Sequence, residues 1–354
     1  MVDARVLHAE GATISVPRRP AGSEPGLVVT RTPLRVSFAG GGTDLPAFYE
    51  REPGAVLSTT IDQYLYVTVK RHGTLFHEGF RLNYSESEQV DRLEDMKNNI
   101  ARECLRFLQV ESPVYISTIA DLPEFSGLGS SSSFAVGLLN ALHVFRGERV
   151  SAGQLAEEAA HVEIDVLRRP IGKQDHYAAA FGGLNFFCFM PDGRVSVEHQ
   201  PLPRSVVQRF FEHLLLFWTR IRRDAGTVLM EQQRRIDETF GTLQAMREDA
   251  RTLHALMRNG FDPLAFGAVL DRTWSLKRQL ASGITNDCID AWYQRAREAG
   301  AVGGKICGAG GGGFLLLVLP PDRRDTVRRA LPDLDEVTIG YEAQGSRVLL
   351  PFVE

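Results

Sequence analysis

The stretch SGLGSSSS at residues 126–133 combines glycines with hydroxyl side chains immediately before an apolar run. We predict that Ser130 is the N-cap of a helix over 131–145. A helix N-terminus carries partial positive charge and glycines allow close approach to the backbone, so the stretch favours a phosphate-binding loop. The residues predicted to bind phosphate are Gly127, Leu128, Gly129, Ser130, Ser131 and Ser132. A plain helix cap or a glycine-serine linker is the alternative, and the lack of a lysine after the last glycine excludes a Walker A loop.

Two further glycine-rich stretches could bring backbone close to a ligand. In RTPLRVSFAGGGTDLP, residues 31–46, a strand-like run ends in three glycines and then Asp44. The carboxylate of Asp44 is suited to sugar hydroxyls, and the fork-shaped guanidinium of Arg35 is suited to phosphate oxygens. In GGKICGAGGGGFLLL, residues 303–317, Gly308 and the four glycines at 310–313 precede a short apolar run that predicts a buried strand. A tight turn with a surface aspartate and a flexible hairpin are the respective alternatives.

Two carboxylates, Glu163 and Asp175, lie twelve residues apart on either side of a Pro-Ile-Gly interruption. One could hold magnesium and the other could act as a base, which are ordinary roles of carboxylates in phosphoryl transfer. Solvated surface carboxylates are the alternative, which spacing alone does not exclude.

Composition excludes several classes of protein. The formal net charge of −4 gives no overall positive field for nucleic acid or an anionic membrane. The four cysteines are scattered, without spacing typical of a zinc site or a disulfide framework, which favours a cytoplasmic location. No apolar run approaches a membrane span, so we expect neither nucleic-acid nor membrane partners.

A chain of 354 residues is about right for two domains. Strand patterns dominate the front, helical periodicity follows, and the two kinds of element alternate without a regular repeat, so the predicted class is α+β. We predict a flexible arm at 1–27, an N-terminal domain at 28–205 and a C-terminal domain at 206–354. The second domain is expected to be a small sheet, including a strand near Val348, with helices on one face.

Over about residues 30–320, the chain resembles the GHMP kinase superfamily, which includes galactokinase, homoserine kinase, mevalonate kinase and phosphomevalonate kinase. PEFSGLGSSS is similar to its phosphate-binding motif P-x-x-x-G-L-G-S-S, and KICGAGGGG is similar to its C-terminal G-A-G-x-G-G loop. The resemblance implies a domain like ribosomal protein S5 domain 2 followed by a ferredoxin-like domain, with ATP and sugar between them. It also implies that Asp175 is the catalytic aspartate, that Arg35 assists transfer, and that Glu163 and Ser131 hold Mg²⁺. Ser130 or Ser132 remains an alternative to Ser131.

The stretch TPLRVSFAGGGTD resembles the galactokinase pattern P-G-R-V-N-L-I-G-E-H-T-D, except that Gly41 and Gly42 stand where that pattern has Glu-His. With GKQDHYAAAFGG downstream, it is more similar to the branch that phosphorylates the anomeric hydroxyl of D-glycero-D-manno-heptose 7-phosphate, for nucleotide-activated heptose in surface polysaccharide. The predicted partners are therefore ATP and a sugar phosphate, with a homo-oligomer left open. The residues predicted to bind the substrate are Asp44, Gly41, Gly42, Thr43, Gly310, Gly311, Arg223 and Lys173.

Three alternatives remain at this stage. A sugar that already carries a phosphate needs a cationic pocket, for which the candidates are Arg168, Arg169, Lys173, Arg220, Arg222 and Arg223. A kinase for an unphosphorylated sugar such as L-fucose or galactose would not need that pocket. A non-catalytic sugar and ATP sensor would not need Asp175 and Glu163. A decarboxylase of mevalonate diphosphate would also use ATP, but the A-G-G-G-T-D stretch disfavours it.

Overall fold

A computed structural model describes residues 25–73, 75–124, 126–222 and 225–353. Most of the predicted N-terminal arm, and Arg223, lie outside the described residues. Within the described ranges, the chain forms two sheets flanked by helices, which confirms the predicted α+β class.

The first sheet has eight strands within the described ranges. They are β1 Pro25–Ala39, β2 Gly54–Arg71, β3 Phe80–Asn83, β4 Ser87–Val90, β5 Val114–Ala120, β6 Leu184–Phe189, β7 Val195–His199 and β12 Arg347–Val353. The central order is β12-β1-β2-β5-β3-β4, while β6 pairs with β2 and β7 with β6, and β3 and β5 are the parallel pair. The helices of this part are α1 Pro46–Tyr49, α2 Asn99–Phe107, α3 Ser130–Phe145, α4 Ala152–Ala160 and α5 Gln174–Phe181. A π-helical segment, His161–Val166, continues α4.

The strands of the second sheet are β8 Leu214–Trp218, β9 Gly303–Ile306, β10 Phe314–Val318 and β11 Asp335–Val337. This sheet is antiparallel and has the order β11-β8-β10-β9. The helices are α6 Arg204–Glu212, α7 Ala225–Arg234, α8 Ile236–Arg258, α9 Pro263–Lys277, α10 Asp287–Glu298 and α11 Arg324–Ala330. Helix α6 covers the position where the sequence predicts the boundary between domains.

Strand β10 is buried along its whole length, and alternate side chains enter two separate hydrophobic clusters. Phe314 and Leu316 pack with the first sheet and with helices α8 and α9, whereas Leu315 and Leu317 pack against side chains of α10 and α11. The expectation of helices on one face is therefore wrong. A continuous apolar run is typical of a strand covered on both faces, and that is the reason for the difference.

The strand near Val348 also differs from the expectation, because β12 pairs antiparallel with β1 in the first sheet. The chain thus leaves the first sheet, builds the second and returns. The two sheets share one cluster that includes Val36 and Phe38 of β1 and Phe314 of β10, so the loops between them are held at fixed positions.

Candidate active site

A cavity of about 630 Å³ lies between the two parts of the chain. All three glycine-rich stretches contribute to its wall, together with helix α7 and the start of α5. Of the predicted site residues, the structure brings these to the cavity: Arg35, Gly41, Gly42, Asp44, Gly127, Gly129, Ser130, Ser131, Ser132 and Asp175.

The phosphate-binding loop differs from the prediction at its cap. Helix α3 begins at Ser130, and its N-cap is Gly129 in the left-handed conformation, with φ of 81°. The Gly129 carbonyl accepts from the Ser133 N–H at 2.9 Å, and no side chain caps the first turn. Glycine replaces Ser130 as the cap because a left-handed residue without Cβ turns the chain tightly. The N–H groups of the first turn remain available to an anion.

The C-terminal glycine loop packs directly on the phosphate-binding loop. A Cβ placed on Gly308 would lie 2.5 Å from the Gly127 Cα, and one placed on Gly127 would lie 2.7 Å from the Cys307 carbonyl oxygen. Both glycines have positive φ. The C-terminal glycine loop therefore supports the phosphate-binding loop. Gly310 and Gly311 pack on Ile284 and are absent from the cavity wall.

Arg35 and Asp175 form a paired ionic contact beside the phosphate-binding loop. Arg35 donates from Nε to Asp175 Oδ1 at 2.6 Å and from a terminal nitrogen to Oδ2 at 2.5 Å. Its other terminal nitrogen donates to the Gly127 carbonyl at 2.7 Å. Burial opposes the charged guanidinium, but the Asp175 charge raises the pKa of Arg35 overall. The Asp175 side chain remains 23% exposed, so it is open to a ligand.

Asp44 is almost completely buried beside the start of α5. Its oxygens accept from the backbone N–H of Gly42 at 2.8 Å and of Gln174 at 3.2 Å. Burial, followed by repulsion from Asp175, raises the pKa of Asp44. Thr43 points elsewhere, since its hydroxyl donates to the Gly40 carbonyl at 2.7 Å, and it does not line the cavity.

Glu163 lies fully buried beside Ser132 of the phosphate-binding loop and, unlike Ser132, is not part of the cavity wall. It accepts from Arg169 at 2.8 Å and pairs with His176 Nε2 at 2.9 Å. Burial opposes its charge, but His176 and Arg169, together with a hydrogen bond from Ser132, lower the pKa of Glu163. An ionised carboxylate beside a serine hydroxyl is a set of hard oxygen donors suited to Mg²⁺. This adjacency favours Ser132 over the exposed Ser131 as the serine partner.

Of the cations expected to bind a sugar phosphate, Arg169 lines the cavity, whereas Lys173 and Arg220 do not. The Lys173 ammonium pairs with Glu157 at 3.0 Å and donates to the Gly193 carbonyl at 2.9 Å, outside the cavity wall. Arg220 pairs with Asp335 at 2.6 Å on the surface. Sequence patterns predict charge but not which carboxylate it will meet.

Two buried lysines of the cavity wall, Lys277 and Lys305, were not predicted. Lys305 donates to the carbonyls of Ser37 at 2.8 Å and Phe38 at 3.1 Å, and Lys277 donates to that of Ile306 at 3.2 Å and to that of Gly308. Burial lowers the pKa of Lys305 to about 8 and that of Lys277 well below its usual value. Among the described residues, neither has a carboxylate partner. Lys305 is the first residue of KICGAGGGG, so a cation next to the glycine loop was visible in the sequence.

One end of the cavity is largely apolar. Its wall includes Leu65 of β2, Tyr84 of the turn after β3, Ile100 of α2 and Phe134 of α3, with Asn98 and Thr118 as polar neighbours. A flat aromatic ligand could pack there. No local motif marks these positions, because only the fold brings them together.

Comparisons with known proteins identify the family and the fold. The family model for the GHMP kinase N-terminal domain matches residues 98–183, and that for the C-terminal domain matches residues 243–336. The chain belongs to the GHMP kinase family, and the predicted two-domain fold is confirmed. It is an ATP-dependent phosphotransferase with an alcohol group as acceptor.

Several relatives extend over most of the chain. The D-glycero-alpha-D-manno-heptose 7-phosphate kinase of Campylobacter jejuni is 29% identical, covering 85% of this chain and 92% of the relative. A galactokinase of Pyrococcus furiosus is 23% identical, covering 86% and 92%. A crystal structure described as a D-glycero-D-manno-heptose 1-phosphate kinase from Bacteroides thetaiotaomicron superposes with a TM-score of 0.76, at 23% identity and 91% coverage of this chain and 99% of that one. In the described ranges, no helix is both long and apolar enough to cross a membrane.

Proposed function

We propose that this protein transfers the γ-phosphoryl group of ATP to the anomeric C1 hydroxyl of a sugar phosphate. D-glycero-D-manno-heptose 7-phosphate is the acceptor we favour, which would give the 1,7-bisphosphate used to make nucleotide-activated heptose for surface polysaccharide. The observation that carries the proposal is the Arg35–Asp175 pair, which lies between the phosphate-binding loop and Asp44. A Cβ added to Gly129 would lie 3.4 Å from Asp175 Oδ2, so the carboxylate contacts the loop directly.

Each residue of the pair has a chemical role in this proposal. Asp175 uses one lone pair on each oxygen for Arg35, and a carboxylate has about four such sites, so it can still accept the sugar hydroxyl and take its proton. Arg35 supplies positive charge where the transferred group passes. Asp44 would hold another hydroxyl and so orient the acceptor.

ATP would place its base at the apolar end of the cavity and its phosphates on the first turn of α3. When bound, Mg²⁺ would neutralise phosphate charge, and Glu163 with Ser132 would hold it. Among the described residues, there is no cluster of three or more His, Cys, Asp or Glu side chains that could hold a metal ion. Lys305 adds positive charge to the same cavity below its pKa of about 8.

The Campylobacter jejuni relative named as a D-glycero-alpha-D-manno-heptose 7-phosphate kinase supports the choice of acceptor. An unphosphorylated sugar is the competing acceptor, and one observation favours it: Lys173 and Arg220, two of the cations expected to meet a sugar phosphate, pair with carboxylates outside the cavity wall.

The test is ADP release with MgATP across six acceptors, with phosphorus NMR locating the new phosphate. The acceptors are D-glycero-D-manno-heptose 7-phosphate, mannose 6-phosphate, mannose, galactose, L-fucose and mevalonate. Turnover on the heptose phosphate with a C1 phosphate product is the expected result. Activity on an unphosphorylated sugar alone would overturn the choice of acceptor, and inactivity on all six would favour a sensor.

A further inference from the structure

Helix α7 presents one face to the cavity, at Gly226, Leu229 and Gln232. These positions recur at intervals of three and therefore lie on the same side of the helix. Gln232 is only 4% exposed. Its amide nitrogen is buried and has no hydrogen-bond partner among the described residues.

The amide of Gln232 lies directly against the backbone of Gly42. A Cβ added to Gly42 would lie 2.4 Å from Gln232 Nε2, and φ at Gly42 is 98°. Both the lack of space and the backbone conformation therefore require glycine at this position. The Gly42 N–H in turn donates to Asp44 Oδ1 at 2.8 Å. Gln232 and Asp44 therefore lie on either side of one glycine, the first contributed by α7 and the second by the loop after β1.

A buried amide donor without a partner destabilises a folded protein. A ligand that accepts a hydrogen bond from that donor removes the penalty when it binds. The terminal torsion of a glutamine amide is soft, so the group can turn towards a ligand without backbone movement. A hydroxyl both donates and accepts, so it can donate to a carboxylate while accepting from an amide N–H.

We propose that Gln232 is a specificity-determining residue, whose amide donates a hydrogen bond to an acceptor hydroxyl that itself donates to Asp44. The proposal rests on the proposed function, since it takes a polyhydroxylated acceptor as the ligand. It also gives the Gly41-Gly42 sequence a role: where the galactokinase pattern has side chains, this chain leaves space for a polar group from the second part of the molecule.

The test compares Gln232→Met with Gln233→Met, its exposed neighbour on the same helix. Methionine has a similar shape but no donor. In the ligand-free protein, Gln232→Met should leave the melting temperature equal or raise it, because a buried unpaired donor is removed. In turnover assays it should raise the KM for the acceptor about fivefold to hundredfold while leaving the KM for ATP near that of the control.

Monodeoxy analogues of D-glycero-D-manno-heptose 7-phosphate at C2, C3 and C4 then identify the hydroxyl. We expect the wild type to discriminate against one analogue more strongly than Gln232→Met does. Equal acceptor KM values for Gln232→Met and Gln233→Met would overturn the assignment of Gln232 while leaving the kinase function intact. A lowered melting temperature with both KM values raised would show a structural amide and also overturn it. Inactivity of the wild type on every sugar would instead refute the proposed function, and this proposal with it.

Discussion

Replacing Gly308 by alanine should damage phosphate binding through the contact between the two glycine loops. The new Cβ would lie 2.5 Å from the Gly127 Cα, whereas ordinary Cβ contacts begin at 3.4 Å, so the loops must separate by about 0.9 Å. A displacement of about 1 Å in an active site can cost about 10²-fold in rate. We therefore expect kcat/KM for ATP to fall by about 10²-fold.

The matched control is Gly147→Ala. Gly147 has φ of 75°, similar to the 64° of Gly308, but nothing lies within 4 Å of its would-be Cβ. Both variants carry the left-handed strain of alanine, about 1–2 kcal/mol, and both should melt earlier. Only Gly308→Ala should lose affinity for ATP, measured as KM and by calorimetric titration. Equal ATP affinity in the two variants would refute the idea that the second loop positions the first.

The remaining predictions concern charge. Asp175→Asn should lower kcat by about 10²- to 10⁴-fold while acceptor binding, followed by calorimetry, persists; unchanged turnover would contradict the role of a base. Glu163→Gln should raise the Mg²⁺ concentration needed for half-maximal rate, because an amide is a weaker ligand than a carboxylate; an unaltered Mg²⁺ titration would remove Glu163 from the metal site. The pKa of Lys305 is about 8 in the fold and about 10.4 in an unfolded chain. Between these pH values the unfolded chain binds more protons, so the contribution of Lys305 to the free energy of unfolding increases with pH. Denaturant unfolding measures the free energy of unfolding of the wild type and of Lys305→Met. The wild-type value minus the Lys305→Met value should increase from pH 8 to 10, and a constant difference would contradict the prediction.

The sequence was informative where function depends on neighbouring residues. The phosphate-binding loop is one continuous stretch, so its glycines, serines and following helix could be predicted together. The N-cap is Gly129 rather than the predicted Ser130, because Gly129 has a positive φ that depends on the surrounding backbone. Arg35, Asp44 and Asp175 were found through the pattern around each of them.

Features that depend on distant contacts could not be predicted. Lys173 is a cation in the right segment, but Glu157 captures it. Lys277 belongs to no motif. It lines the cavity because it lies at the end of α9, where its ammonium donates to the carbonyl of Ile306 at the end of β9. The apolar end of the cavity and the pairing of β12 likewise arise from tertiary structure, where propensity and periodicity carry no information.

The pairing of β12 with β1 has a consequence for synthesis. Val29 lies opposite Leu350, so one edge of β1 has no neighbour until almost the whole described chain has left the ribosome. During that interval β1, already pairing with β2 on its other side, exposes a row of unsatisfied backbone groups. Nascent chains of this protein therefore pass through a long period in which strand-to-strand association competes with completion of the sheet. We expect their yield of native protein to depend on chaperones that shield that edge.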